Sequence, residues 1–140
     1  VMGPGYCGTI MDGPIGTGTF IWPTVQHFRS GYDWSPETNH FGLDIGGAVG
    51  QPMFAMDNGV IVYAGWNSRG YGLMVVIDHV DWQTLYAHMD QIYVTCGSSV
   101  TKGDTIGTMG ITGNTTGPHL HLEMWYKSTR VNPWDYLPPP

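Results

Sequence analysis

The sequence predicts an all-β domain, a mainly antiparallel sheet with long loops, and three observations carry that expectation. Short runs rich in β-branched and aromatic residues recur between clusters of Gly, Asn and Asp, the pattern of strands separated by turns. No window of helical length holds a clean 3.6-residue period. Twenty-one Gly and ten Pro in 140 residues favour turns, and both residues are poor in helix interiors.

Residues 1–19, VMGPGYCGTIMDGPIGTGT, are Gly-rich without a sustained period and are expected to form a lead-in segment running over the surface. Residues 20–137 read as a single domain, in a chain long enough to bury a core without help from metal or disulfide. "GVIVYAG" (59–65), "LMVVID" (73–78), "WQTLYAH" (82–88) and "HLHLEMWY" (119–126) are its clearest strands, with "NSRGYG" (67–72) and "DHVD" (78–81) as hairpin-like connectors. The ending "LPPP" makes 138–140 a Pro-rich linker stub to another module. With no initiator Met and no charged-then-apolar leader, the sequence reads as a mature or excised piece of a longer multidomain protein. Cys7 and Cys96 are too distant in sequence for a metal knuckle. They form one disulfide if the protein is exported, or stay two unrelated thiols, and sequence alone leaves both open.

Net charge is −6, and the five basic residues (Arg29, Arg69, Lys102, Lys127, Arg130) are scattered. Nucleic acids and anionic membranes need a basic footprint, so neither is expected as a partner. No apolar run approaches the ~20 residues of a membrane span. "GITGNTTG" lacks the Lys-Ser/Thr pair and following helix of a phosphate loop.

Side chains at i and i+2 of a strand share a face. In 119–126, His119, His121, Glu123 and Trp125 therefore lie opposite Leu120, Leu122, Met124 and Tyr126. In 82–88 the same rule groups Trp82, Thr84, Tyr86 and His88 against Gln83, Leu85 and Ala87. "NHFGLDIGG" adds His40 from a loop and Asp44 from the start of a strand, because Gly42, Gly46 and Gly47 argue against a helix. Imidazole and carboxylate together suit zinc, and three protein ligands with a position left to water is its catalytic arrangement. His40, Asp44, His88, His119 and His121 exceed that number, leaving histidines for proton transfer. A lone strand histidine is ordinarily a surface or satisfied core residue, which suits His27 and His79. Six Trp and eight Tyr also suit a carbohydrate- or peptide-binding platform in which the histidines are structural.

"NHFGLDIGG", "TLYAHMD" and "GNTTGPHLHLEMW", in that order, resemble the three signatures of the lysostaphin-type (LytM-like) zinc peptidases. The similarity extends over about residues 20–137, through "MFAMDNGVIVYAGWNSRGYGLMVVIDH", "VTKGDTIGTMGITGN" and "RVNPWDYLP". The resemblance implies a LytM-like fold of the duplicated-hybrid-motif type, whose loops wall a substrate groove. It implies one zinc ion per chain on His40, Asp44 and His121, with His88 and His119 as catalytic histidines. It further implies an exported or cell-envelope endopeptidase cutting stem peptide or cross-bridge in bacterial peptidoglycan. The division of general base and oxyanion donor between His88 and His119 stays open. Tyr32, Trp34 and Tyr86 are candidate groove residues, with packing as the alternative for each. The loop "SGYDWSPETNH" has no Arg, unlike many family members from diderm bacteria. Some family members are non-enzymatic activators that have lost ligands, whereas all five key positions are present here.

Overall fold

The computed structural model describes residues 7, 14–27, 32–115 and 117–140. Most of the Gly-rich lead-in, Arg29 and Thr116 of the Thr-Gly-Pro turn lie outside the described residues. The described residues form strands β1 (Leu43–Gly46), β2 (Pro52–Phe54), β3 (Gly59–Asn67), β4 (Gly72–Asp78) and β5 (Trp82–Ile92). They continue with β6 (Ser99–Val100), β7 (Thr105–Met109), β8 (His119–Tyr126) and β9 (Thr129–Val131). Among them the helical segments are two 3-10 turns, Pro36–Thr38 and Pro133–Asp135, so the all-β expectation holds. Both connectors expected to close hairpins do so, joining β3 to β4 and β4 to β5.

All pairings are antiparallel, in the order β1-β8-β5-β4-β3-β6. β9 adds to β8, while β7 pairs with the second half of β5 and carries β2. Alternation divides the sheet into a core face and a site face. Leu43 and Ile45 of β1 sit opposite Leu122 and Leu120 of β8, and all four are fully buried. They join Val75, Ile77, Tyr86 and Met124, closed over by Met53, Ile106 and Met109 from β2 and β7 and by Phe20 and Trp22. Each such side chain contributes about 1.5–3 kcal/mol on leaving water. The register that buries these leucines necessarily turns Asp44, His119 and His121 to the other face, since a strand repeats every two residues.

β5 changes partner along its length. Trp82–Ala87 pairs with β8, and Met89–Ile92 pairs with β7. Opposite β4, Tyr86 faces Val75 and Met89 faces Leu73, so β5 holds one residue more than its neighbour between these pairs. Within that bulge His88 has φ of 60°. A bulge re-aims a side chain, and a non-Gly residue with positive φ persists only where its surroundings hold it. The His88 N–H donates to Tyr71 O (2.8 Å), and its carbonyl accepts from Gly110 N–H (2.9 Å).

This bulge corrects one expectation. Simple alternation placed Tyr86 beside His88 and made it a candidate groove residue. Tyr86 instead stays with Thr84 on the core side, fully buried, its hydroxyl bonded to the Met56 N–H (3.0 Å) and the Thr84 hydroxyl (2.9 Å). His88 is rotated away to the site face.

Cys7 and Cys96 form a disulfide across a sequence separation of 89. A crosslink closing a loop of that size stabilises by about 4–5 kcal/mol in the chain-entropy account. The described part of the lead-in is also fastened: Thr17 and Gly18 N–H donate to Asp57 Oδ2 (2.7 and 3.0 Å), and Gly16 N–H donates to His79 O (3.0 Å). His79 is buried and bonded at both ring nitrogens, to Asn58 O and the Thr84 hydroxyl. His27 stacks on Trp22 at 5.2 Å. Both histidines are structural, as expected.

Candidate metal centre and active site

Strand pairing assembles the site. Asp44 in β1 lies directly opposite His121 in β8, two positions from the Gly46–His119 pair, and Ala87 of β5 flanks His121 on its other side. The small Ala87 and Gly46 leave the space above the sheet to the imidazoles. His40 arrives from the segment before β1, after the Pro36–Thr38 turn, and a bridge between Ser35 and His40 ties that segment back on itself. Gly42 allows the close passage: a Cβ there would stand 2.6 Å from His121 Cε1 and 2.6 Å from Leu122 O.

Asp44 Oδ1 is the focus. His121 Nδ1 lies 3.0 Å away, His40 Nε2 3.4 Å and His119 Nε2 3.7 Å. His40, Asp44 and His121 each present a ligand atom within 4.8 Å of the others. The opposite nitrogens explain why these atoms converge. His40 Nδ1–H donates to Asp33 O (2.7 Å), which leaves Nε2 with its lone pair turned inward. His121 Nε2–H donates to Glu123 Oε2 (2.9 Å), which leaves Nδ1 turned inward. Two imidazoles, each oriented by an outer partner so that one nitrogen faces the carboxylate, are a donor set that could hold a metal ion once His121 gives up its proton. The residues present therefore fit a zinc ion.

His88 and His119 flank this set with ring centroids 4.8 Å apart. His88 Nδ1 is anchored on Thr112 O (2.7 Å), and His119 Nδ1 on Gly117 O (3.0 Å) with the Thr115 hydroxyl at 2.9 Å. Among the described residues neither Nε2 makes a hydrogen bond, although His119 Nε2 lies 3.7 Å from Asp44 Oδ1. The five residues border a cavity of about 640 Å³, with Tyr32, Arg69, Tyr71 and Asn114 among its other walls. Tyr32, 73% exposed, stands beside His40, and its backbone N–H reaches Asp44 Oδ2 at 3.3 Å. Trp34 does not line the cavity. It packs edge-on against Phe41, so the packing alternative is the correct one there.

Glu123 is the residue that sequence reasoning placed on the right face without giving it work. It is 1% exposed. Its Oε2 accepts from His121 Nε2–H and from the Tyr71 hydroxyl (2.7 Å), and its Oε1 from Trp125 Nε1–H (2.9 Å). Burial alone would raise the carboxyl pKa, but these bonds and the adjacent imidazole lower it. For His121, burial disfavours the charged ring, yet Asp44 and Glu123 prevail and raise its pKa to about 9 in the metal-free protein. Asp44 is likewise lowered: burial opposes ionisation, and His121, His119 and His40 outweigh it. Desolvation lowers His88. Tyr71 carried no signal in the sequence, because it comes from the β3–β4 connector and reaches Glu123 only through the fold.

An antiparallel sheet bearing a His-Asp-His group that could hold a metal ion, with two further histidines beside it, is the architecture of a metallopeptidase-type domain. The sequence signature of peptidase family M23 matches residues 38–133, and the chain belongs to that family. Among curated relatives, it is 38% identical over 127 residues to the uncharacterized lipoprotein YgeR of Escherichia coli, covering 90% of this chain and 50% of that protein. It is 41% identical over 121 residues to the E. coli murein hydrolase activator NlpD, covering 86% of this chain and 31% of that one. The chain thus spans half or less of these two relatives. With the lipoprotein NlpD of Yersinia enterocolitica it shares 46% identity over 96 residues, 68% of this chain and 98% of that sequence. Among solved structures, lysostaphin from Staphylococcus simulans superposes with a TM-score of 0.72 at 32% identity, over 78% of this chain and 48% of that one. A zinc-containing peptidase from Vibrio cholerae superposes with a TM-score of 0.64 at 28% identity, over 91% and 39%.

Proposed function

We propose that this chain is a zinc-dependent endopeptidase that hydrolyses peptide bonds in bacterial peptidoglycan, in the stem peptide or the cross-bridge. The observation that carries this reading is the convergence of His40 Nε2 and His121 Nδ1 on Asp44 Oδ1, with His88 and His119 beside them. His40, Asp44 and His121 would hold the ion. Zinc in such a site supplies Lewis-acid polarisation of a carbonyl and brings a water pKa near 7.

The chain's own residues do the rest. The anchored Nδ1 atoms of His88 and His119 turn both Nε2 atoms toward the groove. An imidazole accepts a proton when neutral and donates one when charged, which lets a pair of them serve both steps. One histidine removes the proton of the attacking water, the other donates a hydrogen bond to the carbonyl oxygen, and the proton passes to the amine nitrogen as the C–N bond breaks. Tyr32 walls the groove for the peptide. Relatives that are lipoproteins or murein hydrolase activators, together with a disulfide suited to an oxidising compartment, support an exported or cell-envelope location. Among the described residues no helix is long and apolar enough to cross a membrane.

A second reading has a specific support: several relatives are named murein hydrolase activators. In it the same domain binds the wall or stimulates another hydrolase without cutting. The zinc-loaded chain should be incubated with peptidoglycans bearing glycine or direct cross-links and the released fragments identified by mass spectrometry. The enzyme reading expects new amino termini, lost in His119→Ala with one zinc retained and lost in His121→Ala together with the zinc. A zinc-bound chain that cuts neither wall, yet accelerates a partner hydrolase, establishes the second reading.

A further inference from the structure

Five basic residues serve the 140-residue chain, and one of them, Arg29, lies outside the described residues. Three of the other four are engaged. The Arg130 guanidinium stacks over Phe41 and Trp125 (4.3 and 5.1 Å to the ring centres), and the Lys127 ammonium lies 5.4 Å from the centre of the Tyr126 ring. Lys102 Nζ donates to the Thr17 and Thr19 hydroxyls (3.1 Å each) beside Asp57. Arg69 is exposed, and among the described residues its guanidinium has no hydrogen bond, ion pair or ring contact. It borders the groove over the histidines, where it is the one Lys or Arg among the described residues of the wall. Asp44, the one carboxylate there, is turned to His40, His119 and His121.

The backbone under Arg69 is fixed. Its N–H donates to Oδ1 of the buried Asn67 (2.9 Å), Gly70 O accepts the Asn114 N–H (2.8 Å), and Tyr71 O accepts the His88 N–H (2.8 Å). Gly113, with φ of 80°, permits the crossing, since a Cβ there would stand 2.5 Å from Gly70 O. Arg69 therefore sits two residues before a bond to His88 itself, on the β4 side of the groove. Tyr32, Asn39 and His40 come from the segment before β1, on the other side.

An arginine on a convex surface is satisfied by water. A cleft focuses the field of a fixed charge, so a groove with one cation and no counter-charge for it favours an anionic ligand. The guanidinium fork matches a planar carboxylate through two parallel hydrogen bonds. The wall beside Arg69, formed by Gly70, Asn114 and Thr115, is neutral. An uncharged glycine bridge would leave Arg69 idle, whereas a stem peptide brings free carboxylates along its length.

We infer that Arg69 determines specificity: its guanidinium pairs with a free carboxylate of the bound peptide, so the groove takes an acidic stem peptide in preference to a glycine bridge. The inference rests on the cell-wall reading above and deepens it by choosing between the two substrates.

Binding is measured by calorimetry on the whole zinc-loaded chain carrying His119→Ala, so that no probe is cut. The probes are a directly cross-linked stem-peptide dimer, the same dimer with its carboxylates converted to amides, and capped pentaglycine. The acidic dimer should bind about tenfold tighter than either neutral probe, the scale of a hydrogen bond to a charged group. Added salt should narrow the difference. Arg69→Gln should abolish the preference and Arg69→Lys restore part of it, with unfolding temperature and zinc content unchanged, because the side chain is exposed. With His119 intact, Arg69→Gln should raise KM for the acidic dimer about tenfold and leave kcat within about twofold, the mark of binding lost equally in ground and transition states. Equal binding of the three probes would overturn the inference. So would a preference that survives Arg69→Gln, which would belong to the metal. A preference lost in Arg69→Gln, in a chain that with His119 intact cleaves nothing, would sink the hydrolase reading and leave the carboxylate subsite standing. Cleavage of glycine bridges with no preference for the acidic dimer would do the reverse.

Discussion

Glu123 Oε2 lies 2.9 Å from His121 Nε2, and this single bond determines which nitrogen of His121 faces Asp44. An outer carboxylate of this kind orients a ligand and raises its basicity, at a typical cost of 10–100-fold in metal affinity when lost. Glu123→Ala also strands the Tyr71 and Trp125 donors in a buried place. We expect Glu123→Ala to bind zinc 10–100-fold more weakly in competition with a chelator, with Glu123→Gln intermediate because its amide oxygen still accepts. Unchanged zinc affinity in Glu123→Ala would remove Glu123 from the site.

The raised pKa of His121 makes metal uptake a proton exchange. In the metal-free protein this ring holds its proton up to about pH 9, and a ligand must give it up. Zinc affinity should therefore climb by up to tenfold per pH unit from pH 6 and level off near 9. Titration calorimetry in buffers of different ionisation enthalpy should find about one proton released per ion at pH 7. The sign for stability is opposite. A group whose folded pKa exceeds its unfolded value stabilises fully below about 6.5 and loses that contribution as pH rises through 9. Metal-free chain should thus lose thermal stability between pH 6.5 and 9 more steeply than Glu123→Ala.

Gly42 is a contact requirement rather than a backbone one, since a Cβ would collide with the His121 ring and Leu122 O. Gly42→Ala should displace that ring and cost about 1–3 kcal/mol by overpacking. Denaturant unfolding should show the loss, with zinc affinity falling in the same variant. Full zinc affinity there would mean the segment before β1 can move aside.

Tyr86 offers the converse test. Tyr86→Phe removes the partner of a buried Met56 N–H and should cost about 1–3 kcal/mol in unfolding experiments. Zinc content and peptide cleavage should be those of the parent chain, because the ring lies across the sheet from the histidines. A selective loss of cleavage would return Tyr86 to the groove.

Alternation in 119–126 was enough, without coordinates, to put His119, His121 and Glu123 on one face and Leu120, Leu122 and Met124 in the core. The motif order was enough to assign the family. These properties are local: a two-residue period and a spacing of ligands are written in consecutive letters. What the tertiary structure decided is non-local. The extra residue in β5 rotates His88 off the face that alternation gave it, because β5 must leave β8 and join β7 at that point. Tyr71 reaches Glu123 across 52 positions, and Cys7 reaches Cys96 across 89. Whether Trp34 and Tyr86 pack or line a groove depends on which neighbour arrives first, Phe41 for one and Met56 for the other. Such choices are set by chain closure and core packing, which bring together residues whose proximity no short stretch of sequence records.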